Sequence, residues 1–196
     1  MNIRKSHLAL IAVSVFCTAA YAQGKTATDV QRDENQQERI ERGLKSGQLN
    51  TKEAGRLERE QQVIDRTEAN AMKDGKITAQ EQARIKAEQN RASRDIYHQK
   101  HDAQQGNPNS ASSLRMQKDV QRNVNQEARI DQGVKSGQLT NREAAKLERG
   151  QAHVDRKEAN AAADGRVGPV EQARIQRTEN RQSRHIYRKK HNARTR

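Results

Sequence analysis

Apolar side chains recur along residues 29–101 at intervals of three, four and seven, and no stretch alternates between apolar and polar residues with a period of two. These intervals place apolar side chains on one face of an α-helix, whereas alternation would indicate a strand. Glycines divide this part of the chain into three helical runs, which cover about residues 29–44, 51–72 and 79–100. The pattern therefore predicts an all-α fold.

The breaks between the runs have the composition of helix ends. Gly47 and Gly75 can take the left-handed backbone conformation that ends a helix. A polar cap with glutamate three residues later then predicts the start of the next helix, as in Asn50 with Glu53 and Thr78 with Glu81. Further along, Gly168 takes a cap position and Pro169 the first helical position, where its missing N–H costs nothing. We therefore expect helical hairpins.

The whole pattern occurs a second time, ninety residues later. Residues 29–101 align with residues 119–191 without a gap, and about 40 of the 73 aligned positions are identical. A duplication this even implies two copies of one structural unit. Between the copies, residues 102–118 contain the polar run Q-Q-G-N-P-N-S-A-S-S, and residues 192–196 form a basic tail. We expect two tandem three-helix repeats joined by a flexible linker.

Composition limits the core that each copy can build. The chain has 31% hydrophobic, 32% charged and 2% aromatic residues, with a mean hydropathy of −1.24. Gln61 and Gln89 stand at positions where an apolar seam would have leucine. We read most carboxylates as a solvated face, each with a basic residue one helical turn away. Such units are expected to be elongated and partly molten unless a partner stabilises them.

The N-terminus has the three parts of a secretory signal in residues 1–22. Arg4 and Lys5 are followed by an apolar run and then by small residues that predict cleavage after Ala22. The apolar run is too short for a membrane anchor, so no transmembrane segment is expected after cleavage. Cys17 would leave with the signal, and the mature chain would have no disulfide and no thiolate metal site. We expect a periplasmic or secreted protein.

The formal net charge is +13, and the two copies contribute to it unequally. The first copy has a net charge of +1, and the second has +6. The basic residues of the C-terminal run are candidate anion-binding residues: Arg181, Arg184, Arg188, Lys189, Lys190, Arg194 and Arg196. The alternative is a solvated, frayed terminus. Anionic lipid head groups or envelope polymers are the expected partners, because the tyrosines Tyr97 and Tyr187 are too few for base stacking by nucleic acid.

The turns D-G-x-[IV]-x-x-x-E offer a candidate metal site. They resemble degenerate halves of EF-hand calcium loops, with Gly75 at the sixth loop position and Glu81 at the twelfth. Met72 departs from the family pattern at the third position, where an acid is required. The resemblance implies weak divalent binding, calcium above all, by two sets of residues: Asn70, Asp74 and Glu81, and Asn160, Asp164 and Glu171. Helix capping alone is the alternative for these residues.

No catalytic or cofactor motif accompanies these features. The chain has no G-x-S-x-G, no phosphate-cradling loop and no H-E-x-x-H, and we expect a protein without enzymatic activity. The patterns K-S-G-Q-L and S-R-x-I-Y-x-x-K-H are similar to those of exported Gln/Arg-rich helical repeat proteins of Gram-negative bacteria. That resemblance implies location and fold but no activity. Three hypotheses follow: an envelope binding module for anions, a divalent-cation binder, or a self-associating structural or stress-related protein.

Overall fold

The computed structural model describes the backbone of residues 14–192 and the side chains of residues 27–192. This range contains helices and no strand, which confirms the predicted all-α class. The helices are α1 (Ser14–Ser46), α2 (Thr51–Ala71), α3 (Ala79–Lys100), α4 (Ala111–Lys135), α5 (Asn141–Ala161) and α6 (Pro169–Lys190). Among the described residues, no helix combines the length and the apolar character that a membrane span requires. Most of the predicted signal lies outside the described residues, so cleavage after Ala22 stays a prediction.

The helix ends lie where the glycine turns predict them. Gly47 and Gly75 have φ angles of +77° and +91°, which are left-handed conformations that glycine adopts without strain. Reciprocal capping boxes begin three of the helices: Asn50 with Glu53, Thr78 with Glu81, and Thr140 with Glu143. At the start of α6, Glu171 accepts a hydrogen bond from the backbone N–H of Gly168 at 2.8 Å. Local sequence therefore determines the helix ends at the glycine turns. The predicted start at about residue 29 is wrong, because α1 already begins at Ser14.

The most extensive helix packing joins the two copies. α1 lies along α4, and α2 lies along α5. The first pair is antiparallel, since Lys45 donates to Gln121 at 3.3 Å and Lys135 donates to Gln31 at 2.8 Å. α3 packs on α1 and α2, and α6 packs on α4 and α5. The centre of the molecule is thus a four-helix bundle of α1, α2, α4 and α5, with α3 and α6 on its outside.

An approximate two-fold axis relates the copies. Gln36 Nε2 donates to the backbone oxygen of Gln89 at 2.7 Å, and the equivalent Gln126 Nε2 donates to that of Glu179 at 3.2 Å. The two copies have the same order of helices, but they share one core. This arrangement differs from the expected pair of tethered units, because the buried faces of α1 and α2 pack mainly against the other copy.

The predicted linker also packs against the bundle. Gly106 donates from its backbone N–H to the backbone oxygen of Gly47 at 2.8 Å. A Cβ atom added to Gly106 would lie 2.5 Å from the backbone oxygen of Leu49. Helix α4 begins at Ala111, within the range 102–118 that composition assigned to the linker. The connection between the copies is therefore short and in close contact with the first glycine turn.

Two apolar clusters form the ends of the bundle, and each combines residues of both copies. One cluster consists of Ile40, Leu44, Leu49, Ala54, Leu57, Ile96, Met116, Val120, Ala161, Ala162, Val167 and Ile175. The other consists of Ala27, Val30, Met72, Ile130, Val134, Leu139, Ala144, Ala145, Leu147 and Ile186. Between them the interior is polar, and Gln61 and Gln89 are 1% and 0% exposed. The polar seam positions thus belong to a buried polar layer.

Candidate metal centre

A stripe of acids and glutamine follows the buried face of α2, and the same stripe follows α5. Its members are spaced by three, four and three residues, so they share one face of each helix. They are Glu58, Gln61, Asp65 and Glu68 on α2, and Glu148, Gln151, Asp155 and Glu158 on α5. None of these eight side chains is more than 2% exposed. α2 and α5 are antiparallel, since Gly55 lies against Ala162 and Asn141 Nδ2 donates to the backbone oxygen of Gly75 at 3.1 Å. Their packing brings the two stripes together in the middle of the bundle.

One end of this layer, which we name the amide centre, combines three acids with two amides. Its residues are Glu58, Asp155, Glu158, Gln37 and Asn123. One oxygen from each of the three acids lies within 4.8 Å of the other two. Gln37 Nε2 donates to Glu58 at 3.0 Å, and Asn123 Nδ2 donates to Glu158 at 2.8 Å and to Asp155 at 3.4 Å. Amide donors therefore partly satisfy these carboxyl groups.

The related end of the layer, which we name the acid centre, consists of five acids. Its residues are Asp65, Glu127, Glu148, Asp33 and Glu68. Single oxygens of Asp65, Glu127 and Glu148 lie within 4.8 Å of one another. Asp33 and Glu68 share a hydrogen bond, and both accept from Gln89 Nε2, at 2.9 and 3.1 Å. Four helices contribute to this centre.

Two exchanged positions distinguish the ligands of the two centres. The two-fold axis relates Glu127 to Gln37, and Asp33 to Asn123, because each pair is ninety residues apart. At each of these positions the acid centre has the acid and the amide centre has the amide. The remaining three acids of each centre are equivalent. The duplicated fold thus presents one ligand arrangement twice, with two more carboxyl groups in the acid centre.

A third exchange replaces Gln89, which donates to Asp33 and Glu68, by Glu179. Glu179 is a buried acid that repels Glu158 and forms a salt bridge with Arg122 at 3.5 Å.

The acid centre has no cationic partner. Among residues 27–192, no lysine or arginine forms a salt bridge with any of its five acids. Glu148 is 0% exposed, and neither of its carboxylate oxygens has a hydrogen-bond partner among the described residues. A buried ionised carboxylate is very costly unless a hydrogen-bond donor or a positive charge compensates it. These groups must therefore hold protons or a cation.

The pKa values report the same electrostatic imbalance. Loss of hydration on burial raises the pKa of Asp33 and of Glu58 to about 7. Burial first, and then repulsion from neighbouring carboxylates, raises the pKa of the other six acids well above their ordinary range: Asp65, Glu68, Glu127, Glu148, Asp155 and Glu158. Protons thus neutralise much of the layer in the cation-free protein.

The oxygen spacing also fits a hard cation. Ca²⁺ binds six to eight oxygen atoms at about 2.3–2.6 Å, so opposite ligands lie about 4.6–5.2 Å apart. The oxygens of Asp65, Glu127 and Glu148 all lie within 4.8 Å of one another, so no two of them are too far apart to bind the same ion. The donor set contains oxygen and no imidazole or thiolate, which favours Ca²⁺, Mn²⁺ or Mg²⁺ over softer metals. Facing helices of a bundle commonly place carboxylate ligands in this way.

The predicted EF-hand-like residues lie outside this layer and have other contacts. Asp74 Oδ1 accepts from the backbone N–H of Lys76 at 3.0 Å, and Glu81 accepts from that of Thr78 at 2.9 Å. Asn70 lies beside arginines in a surface cleft. In the second copy, Asp164 Oδ1 accepts from the N–H of Arg166 at 2.9 Å, and Glu171 has the capping contact described above. Asn160 is exposed on α5. Turn formation and helix capping account for these carboxylate contacts.

The predicted anion-binding residues divide into four groups. Arg184 and Arg188 line a surface groove on α6 together with Tyr187. Lys190 donates to the backbone oxygen of Arg129 at 3.0 Å and to Gln132 at 2.8 Å, so its ammonium group already has partners. Arg181 and Lys189 lie on α6 outside that groove lining, and Arg194 and Arg196 lie outside the described residues.

The interpretation of the carboxylates as a solvated face is wrong for the buried stripe. All eight acids of the two centres lack a lysine or arginine at three or four residues in either direction. Exposed or rim acids differ: Glu38 pairs with Arg42 and Asp131 with Lys135, each four residues apart. The missing basic neighbour is therefore the sequence signal that distinguishes the buried acids.

Comparison with known proteins adds no family assignment. No family model, no curated protein and no solved structure matches this chain.

Proposed function

We propose that this chain is a cation-binding helical bundle in which the acid centre binds a hard divalent cation such as Ca²⁺ or Mn²⁺. The observation that carries the proposal is Glu148, a fully buried carboxylate whose two oxygens have no partner among the described residues. It lies among four other acids and has no salt bridge to a basic residue. A divalent cation would supply the missing positive charge and use the free oxygens as ligands.

The amide centre provides an internal comparison. Where the acid centre has Glu127 and Asp33, the amide centre has Gln37 and Asn123, whose amide groups donate to its carboxyl groups. Three acids with two amide donors need less external positive charge than five acids do. We therefore assign cation binding to the acid centre, with the amide centre held chiefly by protons and hydrogen bonds.

The test is a cation titration of the full chain after treatment with a chelator. Calorimetry at about pH 7.5 with CaCl₂ and with MnCl₂ is expected to show saturable binding. The binding should release protons, because a metal ligand must lose the proton that a raised pKa retains. Proton release is measured from the heats in two buffers of different ionisation enthalpy. No heat and no gain in unfolding temperature at millimolar cation would refute the proposal.

Two conservative variants test the assignment to this centre. Glu127→Gln and Asp33→Asn each introduce the residue that the amide centre has at the equivalent position. Each variant should weaken cation binding by about tenfold or more, since second partners and ligands of metal sites commonly contribute that much. Each should also stabilise the cation-free protein above neutral pH, because a buried acid is removed. Weaker binding in a more stable protein excludes misfolding as its cause.

Asp74→Asn and Glu81→Gln are matched surface controls. They remove carboxylates from the EF-hand-like turn, where capping already uses the oxygens. Cation affinity should be unchanged in the first control. The second weakens a cap and should lower stability by about 0.5–2 kcal/mol without changing the affinity. If these variants lost cation binding and Glu127→Gln retained it, the cation site would lie in the EF-hand-like turns and not in the acid centre.

A second candidate function is contact with an anionic component of the cell envelope. The observation favouring it is the groove on α6, lined by Arg129, Ser183, Arg184, Tyr187 and Arg188. Tyr187 is 58% exposed and supplies an apolar face beside the guanidinium groups. Arginine offers planar pairs of N–H donors that match phosphate oxygens. Such a groove suits the phosphate groups of anionic lipids or of lipopolysaccharide.

Vesicle sedimentation tests this second candidate. Binding to phosphatidylglycerol vesicles should weaken steeply from low to physiological salt, because the interaction is electrostatic. Arg184→Gln should reduce it more than Arg94→Gln, the equivalent change on α3 in the first copy. Equal effects of the two changes would indicate that net charge, and not the groove, attracts the vesicles.

A further inference from the structure

A surface cleft of about 390 Å³ lies between α2 and α5, which pack along each other. Its lining residues are Arg66, Asn70, Arg149, Ala152, His153 and Arg156. None of the three arginines forms a salt bridge with a carboxylate of the described residues. The cleft is independent of the groove on α6 and shares no residue with it.

The polar groups of the cleft are nearly all hydrogen-bond donors. Arg156 Nη2 contacts Nδ1 of His153 at 3.1 Å, and a guanidinium has no acceptor, so Nδ1 accepts this bond. The imidazole is then neutral, with Nε2–H as its remaining donor. The pKa of His153 is lowered by loss of hydration and then by Arg156 and other basic neighbours, which is consistent with a positive local potential. Three guanidinium groups and an N–H donor favour binding of an anion in this cleft.

Comparison of the copies explains why the cleft is open on this side. The position equivalent to Ala152 has Gln62, and the position equivalent to His153 has Val63. In the second copy, therefore, a long side chain is replaced by a methyl group and an apolar side chain by an imidazole. Gln62 is buried and Val63 is 46% exposed on the related surface. The two adjacent exchanges give this copy both the space and the additional donor.

We propose that this cleft is a phosphate-binding site, in which the guanidinium groups of Arg66, Arg149 and Arg156 hold the phosphate oxygens and His153 donates from Nε2. Arginine binds phosphate through two parallel N–H donors, and a volume of this size accepts a small phosphorylated molecule. The chemistry is that of a phosphate group, whether free or carried by a lipid. The site does not depend on a cation in the acid centre.

The probe is inorganic phosphate, added to the full chain in the presence of a chelator so that the acid centre holds no cation. Phosphate should shift the imidazole proton resonances of His153 with a saturable dependence on concentration. Ala152→Gln transplants the residue of the first copy, fills the cleft and leaves the net charge unchanged. It should weaken phosphate binding at least tenfold, whereas Ala163→Gln, the same exchange at an exposed turn position, should leave it unchanged.

A second pair of variants tests the role of charge. Arg66→Gln removes a guanidinium from the cleft, and Arg59→Gln removes one from an exposed position on the same helix. Only the first should weaken binding if the cleft is the site. Equal losses in both, or full binding in Ala152→Gln, would overturn the proposal in favour of general electrostatic attraction. If circular dichroism shows that Ala152→Gln does not fold, the comparison of Arg66→Gln with Arg59→Gln tests the proposal.

A parallel experiment with vesicles shows whether the cleft also binds a phosphate group that belongs to a lipid. Vesicles that contain phosphatidic acid should compete with free phosphate only if the cleft admits a lipid head group. Vesicle binding without any shift of the His153 resonances by free phosphate would overturn the cleft as a phosphate site. Failure of phosphate binding leaves the cation titration unaffected, because the two measurements use different ligands and different variants.

Discussion

Raising the pH should destabilise the cation-free protein. Asp33 has its pKa raised from 3.8 to about 7 because burial removes the hydration of its charged form. Between those two values the folded state holds a proton that the unfolded state has lost. The unfolding free energy falls with pH wherever the folded state binds more protons. The stabilisation is therefore complete at about pH 4 and is lost as the pH rises through about 7.

The shifts give the magnitude. One pKa unit corresponds to about 1.4 kcal/mol, so Asp33 alone would cost about 4 kcal/mol by the time it ionises. Glu58, raised from 4.5 to about 7, would cost about 3 kcal/mol. Domains have a total stability of about 5–15 kcal/mol, so ionisation of the polar layer uses a large part of it. With a cation present, stability should no longer fall as the pH rises, because protons and the cation compete for the same carboxyl groups and the protons leave at higher pH.

Urea unfolding followed by far-UV circular dichroism, in chelator, measures the effect. With a slope of about 2 kcal/mol per molar urea, a loss of 4 kcal/mol lowers the midpoint by about 2 M from acid to mildly alkaline pH. Asp33→Asn should show a smaller decrease, since it lacks one of the titrating groups. A midpoint that is constant or rises over this pH range in wild-type protein would show that the carboxyl groups are not neutral when buried.

Three further predictions concern the packing and the turns. Gly55→Ala should destabilise the protein by about 1–3 kcal/mol in urea unfolding, because its Cβ would lie 2.5 Å from that of Ala162, the residue that follows α5. Stabilisation, which the helix preference of alanine alone would give, would contradict this packing. Asp74→Ala should leave calorimetric cation affinity unchanged, since Asp74 Oδ1 accepts from Lys76; a loss would favour the turn site. Residues 23–105 alone should associate in sedimentation velocity, because α1 and α2 lose α4 and α5; a folded monomer would argue against the shared core.

The sequence predicts the helix ends at the glycine turns well because the relevant forces are local. A glycine at positive φ and a capping box act over three or four residues, as in Gly75, Thr78 and Glu81. The partner of each helix depends on contacts between residues far apart in the chain. Periodicity identifies the buried face of α2 but does not distinguish α5 from α3 as its main neighbour. Two tethered units and one shared bundle are consistent with the same periodicity.

The polar layer was missed for a related reason. A carboxylate side chain is normally expected to be exposed to solvent, and in the sequence only its neighbours on the helix indicate that it is buried. Glu38 has Arg42 one turn away and pairs with it, whereas Glu148 has alanines and a glutamine at the corresponding spacings. An acid without a basic residue at three or four positions, repeated along one face of a helix, therefore indicates a buried acidic stripe. That pattern predicts the stripe but not the four-helix arrangement that gathers it.

The residues exchanged between the two copies indicate whether the polar layer serves packing alone. If the polar layer served packing alone, either member of each exchanged pair would suit both centres, because glutamate and glutamine differ little in volume. Two exchanges instead place both extra acids, Asp33 and Glu127, in the same centre, although one comes from each copy. The third exchange, of Gln89 for Glu179, puts an acid beside the amide centre, but that acid has a salt bridge to Arg122. Concentrating acids there raises the cost of burial, and the opposite distribution would lower repulsion. A centre that accumulates charge against that cost needs a compensating cation, whereas the amide centre compensates itself.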